Sequence, residues 1–268
     1  MRSFPIAFGA SLFAAEPDLQ WSLPKRLREI SGLALTPDGR VMGHDDETAD
    51  IYQIDIDSGA VVKRFSLGHP AQGDNVVRGD FEGLAIGGDG DFYLTTSTGR
   101  LYRFREGEDR ARVPFEVFET GLRAFGEMEG LAFHQGEESV IFACKTNYTP
   151  ALRGAVALYA WSPRTPERVA RPWLAIPVGM LADAVGARSF HPSSLEFDAR
   201  TGRMIVLAGR EHAMVELDAR GMLLAARGLG AAHRQAEGAT ILPDGALVIA
   251  DEGGDARALM TRYARLDD

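Results

Sequence analysis

DFEGLAI, residues 80–86, places an acidic residue and a glycine directly in front of a short apolar strand, and EMEGLAF, residues 127–133, does so again. The pattern recurs in degenerate form as EISGLAL (29–35), HPSSLEF (191–197) and QAEGATI (235–241). Aligned on Gly32, Gly83, Gly130, Ser194 and Gly238, the five copies are 51, 47, 64 and 44 residues apart. Each copy continues in the same way. A turn follows, rich in Asp-Gly pairs that suit a tight hairpin, as in TPDGR, GGDGD and LPDGA. A second apolar strand comes next (RVMGH, DFYLTT, SVIFAC, RMIVLA, ALVIA), and then a third with alternating character, such as IYQID, RLYRF, ALYAW and AMVEL. VVKRFSL, FEVFET, WLAIPV and LLAAR read as fourth strands. Four antiparallel strands repeated at this interval predict an all-β chain forming a single five-bladed β-propeller.

The fifth unit runs out after its third strand, near MTRYARL. A ring left open would expose an unpaired edge. The segment DLQWSLP (18–24), with Trp21 and Leu23 alternating, is therefore expected to supply the outer strand of the last blade. This places the propeller at 18–268 and leaves 1–17 as a leader. Its apolar run FPIAFGASLFAA resembles a short secretory signal, but Pro5 and Gly9 interrupt it and no A-x-A site precedes Glu16. A cytoplasmic location is the expectation ahead of a periplasmic or secreted one. In the long insertion of the third interval, MLADAVGA reads as a short helix on a face loop.

The chain has 268 residues, 45% of them apolar and 25% charged, with a net charge of −9. That length buries a large core without staples. The acidic balance argues against a nucleic-acid partner, and no apolar run is long enough to span a membrane. Cys144, the only cysteine, lies in the strand-like VIFACK and reads as a buried structural thiol. The six histidines show no metal spacing; His44, His191 and His212 fall near the predicted acidic face.

In a propeller, the start of each inner strand and the end of the second strand lie at one face. The inner-strand entrances carry Ser31, Glu82, Glu129, Ser193 and Glu237; the second-strand exits carry Asp45-Asp46-Glu47, Thr96, Lys145, Arg210 and Asp251-Glu252. These groups are expected to converge on one mouth of the channel. Glu82, Glu129, Lys145, Arg210 and Glu237 are the candidate ligand-binding residues. Asp45, Asp46, Glu47, Asp251 and Glu252 come from blades that become neighbours on closure, and form a candidate metal group. Crowded carboxylates raise one another's pKa or recruit a cation, and hard oxygen ligands favour Ca²⁺ or Mg²⁺. The alternatives at each position are a fastener between blades and a solvated charge run.

The motif order E-I-S-G-L-A, D-F-E-G-L-A, E-G-L-A-F, S-x-L-x-F-D and Q-x-E-G-A with D-G-x-L-x-I-x-D-E resembles the SdiA-regulated group of bacterial β-propellers, of the YjiK and CarP type. The resemblance spans about residues 20–265 and implies a bacterial propeller from a group with one branch linked to calcium and described as phytase-like. HPSSL (191–195) and Lys145 depart from the pattern; Glu82, Glu129, Glu237, Asp251 and Glu252 match it best. The expected function is binding of a divalent cation, calcium, together with a small ligand or protein partner at an acidic mouth. The alternative is a calcium-dependent phosphoesterase in which Lys145 or Arg210 receives the phosphate. A glycosidase or lactonase ranks below both, because the mouth offers few aromatics beyond Tyr148.

Overall fold

The computed structural model describes residues 10–68, 75–167, 169 and 171–266; the first half of the signal-like run and His69 lie outside them. Five sheets stand in a ring, as the repeat predicts. From the axis outward, blade 1 is Ile30–Leu35, Val41–Asp45, Asp50–Ile54 and Val61–Leu67. Blade 2 is Phe81–Ile86, Asp91–Thr96, Arg100–Arg105 and Phe115–Glu119. Blade 3 is Gly126–His134, Ser139–Asn147, Ala155–Trp161 and Leu174–Pro177. Blade 4 is Ser194–Phe197, Met204–Ala208, Ala213–Leu217 and Leu223–Gly228. Blade 5 is Ala236–Ile241, Leu247–Asp251 and Leu259–Tyr263, closed on its outer edge by Leu19–Ser22 from the N-terminal side, antiparallel with Leu19 opposite Arg262. One strand was not anticipated. Arg112–Val113 pairs in parallel with the outer strand of blade 1, tying the loop of blade 2 to its neighbour. MLADAVGA does form a helix, Val178–Val185, stopped by Gly186 in the left-handed conformation.

The glycine of the repeat has a steric explanation. A Cβ on Gly83 would lie 3.0 Å from the Leu131 amide nitrogen, and one on Gly130 would lie 3.0 Å from that of Leu195. On Gly238 it would meet the Leu33 nitrogen at 2.9 Å. In each case the atom it meets is backbone of the next blade's inner strand. Glycine therefore lets the inner strands close around a narrow axis. Side chains on either side alternate between the two adjoining interfaces. Leu84 packs back on Ala34 and Met42 of blade 1, while Ala85 packs forward on Leu131 of blade 3. The result is five apolar clusters, each shared by two neighbouring blades. Cys144 is buried in one of them, where burial pushes its thiol up to about 12, as suits a structural role.

The segment before the closing strand packs against blades 4 and 5. Leu12 and Phe13 are buried there with Met214, Leu229 and Tyr263. The buried Glu216 carboxylate accepts the Leu12 amide at 3.0 Å and the Ser11 hydroxyl at 2.5 Å, and pairs with Arg203 at 3.0 Å.

Two stability measurements check this account. Gly238→Ala is expected to lose about 1–3 kcal/mol by overpacking the ring, whereas Gly179→Ala, in the helix with open space around it, is expected to gain up to about 1 kcal/mol; urea denaturation reads both. Phe13→Ala is expected to lose about 3–5 kcal/mol; a melting curve unchanged from that of the parent chain would show that the segment is not part of the core.

Candidate functional site

Four of the five strand entrances are β-bulges. Ile30 pairs with Asp45 and Gly32 with His44, which leaves Ser31 unpaired. The ladder skips Glu82 between Phe81 and Gly83, Glu129 between Met128 and Gly130, and Glu237 between Ala236 and Gly238. A bulge re-aims one side chain without disturbing the rest of the strand, and here it gathers the three glutamates at one mouth of the channel. Blade 4 differs. Its entrance residue Ser193 donates to the Ala236 carbonyl at 2.6 Å and accepts the Gly209 amide at 3.0 Å, which fastens blade 4 to blade 5.

Burial and mutual repulsion leave these carboxyls under-compensated. Burial, then Glu129, Asp80 and Glu237, push Glu82 up to about 9, with the Ser31 hydroxyl donating at 3.3 Å. Glu237 is pushed up to about 8 by burial and then by Glu129 and Glu252. Glu129 is raised by burial even though it pairs with Lys145. Glu252 reaches about 7, through burial and then Asp46 and Glu29. Lys145 offsets Glu82, Glu237 and Glu252 in part.

Glu129, Lys145, Arg210 and Glu237 line one cavity of about 300 Å³, as expected, and Glu82 is coupled electrostatically to Glu129 and Glu237. The metal group is divided. Asp45 turns into its own blade and accepts the Thr48 amide at 2.8 Å, the Thr48 hydroxyl at 2.9 Å and the Glu47 amide at 3.2 Å. Asp251 is buried against His233 Nδ1 at 2.7 Å and the Gln235 amide at 3.2 Å. Glu47 is exposed and faces Arg78 at 3.8 Å. Asp46 and Glu252 do meet across the blade 1 and blade 5 junction; burial, then Glu29 and Asp45, push Asp46 up to about 6. Among the described residues no three or more His, Cys, Asp and Glu side chains are gathered as a metal requires. With two members of the five committed inward and one outward, the set does not fit a calcium cage.

Arg234 and Gln235, which sequence reasoning does not single out, and His191 and His212, which it places near this face without a role, complete the cavity wall. Arg234 and Gln235 stand immediately before the AEGA motif, and that adjacency was the available signal. Among the described residues, neither Arg210 nor Arg234 has an ion-pair or hydrogen-bond partner. His191 is held by Glu211 through Nδ1 at 2.6 Å and through its amide at 3.0 Å. His212 sits at φ +48 with Nδ1 against the His233 carbonyl at 2.9 Å. A non-glycine residue in that region is a strained position of the kind found at functional sites. His44, by contrast, is wholly buried beneath Gly32, where burial lowers it to about 4.

No family model matches the chain, and no curated protein does. Solved structures match its fold. Glutaminyl cyclase of Myxococcus xanthus aligns at 14% identity over 94% of this chain and 97% of that one, with a TM-score of 0.59. The PQQ-bound aldose sugar dehydrogenase of Streptomyces coelicolor aligns at 13% identity over 94% and 99%, with a TM-score of 0.55. A luciferin-regenerating enzyme aligns at 10% identity over 94% and 96%, with a TM-score of 0.52. These likenesses are of fold.

The raised carboxyls set the pH dependence of stability. Glu82 and Glu237 bind protons more tightly folded than at their ordinary value of 4.5. Their contribution is full below about 4.5 and is lost as pH rises through 8 to 9. Glu82→Gln and Glu237→Gln are expected to leave the melting temperature nearly unchanged at pH 5. At pH 9 each is expected to raise it by roughly 2–4 °C, equivalent to about 1 kcal/mol.

Proposed function

We propose that the protein binds a small zwitterionic molecule, a free amino acid or short peptide, at this mouth. One observation supports it above the others: two guanidinium groups without partners and carboxyls lacking a counter-ion share a single cavity and its axial edge. Arg210 and Arg234, with Lys145 beside them, suit the carboxylate of the ligand. Glu237 and the adjoining Glu82 suit its ammonium, which supplies the missing positive charge. The cation expected from the sequence is thus an organic ammonium in this reading. The motif resemblance to the SdiA-regulated propellers is part of the same reading and rests on the motif order.

A second reading, phosphate-ester binding or hydrolysis, draws on the same three cations. Its calcium requirement finds no matching ligand set, so no step is assigned to a metal.

Calorimetric titration separates the two. Glutamine and an N-terminal glutaminyl peptide are the first ligands to try, since a glutaminyl cyclase shares the fold. Arg210→Ala and Arg234→Ala are each expected to weaken binding at least about tenfold, or 1.4 kcal/mol. At pH 7 the ammonium ionises a protonated carboxyl, so binding is expected to release a proton, seen as a dependence of heat on buffer ionisation enthalpy; Glu82→Gln with Glu237→Gln abolishes it. Binding of phosphate esters but of no amino acid or peptide would transfer support to the second reading.

A further inference from the structure

The opposite end of the channel is built on different chemistry. There the exits of the five inner strands bound a cavity of about 280 Å³, walled by Leu35, Ile86, Phe133, Phe197 and Leu242. Leu33, Leu84 and Leu131 also line it and are buried, with polar groups of Gln135, Asp198 and Arg200 at the same cavity. At about 3.3 Å per residue, the run from Glu82 to Ile86 separates this space from the glutamate mouth by roughly 13 Å, so the two do not share side chains.

Two carboxyls line this wall, Glu196 and Asp198, and Asp198 is already committed to Arg265 and Thr201. Glu196, on the inner strand of blade 4, lines the cavity and accepts the Phe197 amide at 2.8 Å. No cation offsets it. Arg200 also borders the cavity, but its guanidinium donates to the Pro243 carbonyl at 2.6 Å. Arg265 is taken by Asp198 at 3.0 Å. Burial pushes Glu196 up to about 7, as befits a carboxyl without a counter-ion.

We propose that this second mouth is a separate ligand site for a small aliphatic amine, its hydrocarbon body lying against the Leu, Ile and Phe wall and its ammonium on the Glu196 carboxylate. The apolar wall favours burial of a chain, and a recessed carboxylate favours a cation over a neutral or anionic head group. The site does not depend on the function proposed for the glutamate mouth.

Titration with n-hexylamine, n-hexanol and hexanoate tests the assignment on the unaltered chain. Hexylamine is expected to bind at one site, with the alcohol and the acid at least tenfold weaker. Glu196→Gln, which keeps the side-chain shape, is expected to weaken the amine at least tenfold. Ala199→Trp, at an exposed rim position that leaves the core untouched, is expected to do the same by blocking entry. The double variant Glu82→Gln with Glu237→Gln is expected to retain hexylamine binding, which places the amine away from the other mouth. Hexylamine affinity unchanged in both Glu196→Gln and Ala199→Trp, or hexanoate binding as tightly as the amine, overturns the proposal.

Discussion

The architecture depends on how closely five inner strands can approach one axis. At Gly83, Gly130 and Gly238 the neighbouring backbone stands where a Cβ would be. A side chain at those points would overpack the ring. Where Ser194 replaces the glycine, Gly130 of the preceding blade faces the Ser194–Leu195 backbone and keeps that junction close. In four blades the residue before the glycine position is bulged out of the ladder, which carries it to the axis.

Much of this was legible from the chain itself. Period and turn chemistry were sufficient for the blade count, because each hairpin is local and its glycines and Asp-Gly pairs have few alternative uses. Closure by Leu19–Ser22 followed from a missing fourth strand. The parallel pairing of Arg112–Val113 with Val61–Leu67 was not legible, since two residues of loop carry no periodic signal. The site divided along the same line. Glu82, Glu129 and Glu237 were found because they repeat. Asp45 and Asp251, expected among the metal group, turn back to nearby amides, because a strand-exit aspartate can face either the mouth or its own backbone and sequence does not distinguish the two. Arg234 was missed because it stands one residue ahead of the aligned motif, outside the repeat.

The two mouths illustrate how a repeated frame takes on different chemistry at its ends. At the entrances, bulges bring charge inward and burial leaves it under-compensated, so the molecule holds several acids near neutrality with one lysine among them. At the exits the strands keep regular pairing, and their side chains are mostly apolar. Divergence among blades supplies the asymmetry: the cations line the blade 3 to blade 5 side of the first cavity, and in blade 4 Glu196, without the arginine partner that Asp198 has, marks the second.

The pairing of Leu19–Ser22 with Leu259–Tyr263 also has a consequence for biosynthesis. On the ribosome the stretch Leu19–Ser22 is made before the four complete sheets and its partner Leu259–Tyr263 after them, so the ring is an open arc until that partner has been translated. Its closure joins strands from opposite ends of the propeller sequence, a contact of the kind expected to slow folding.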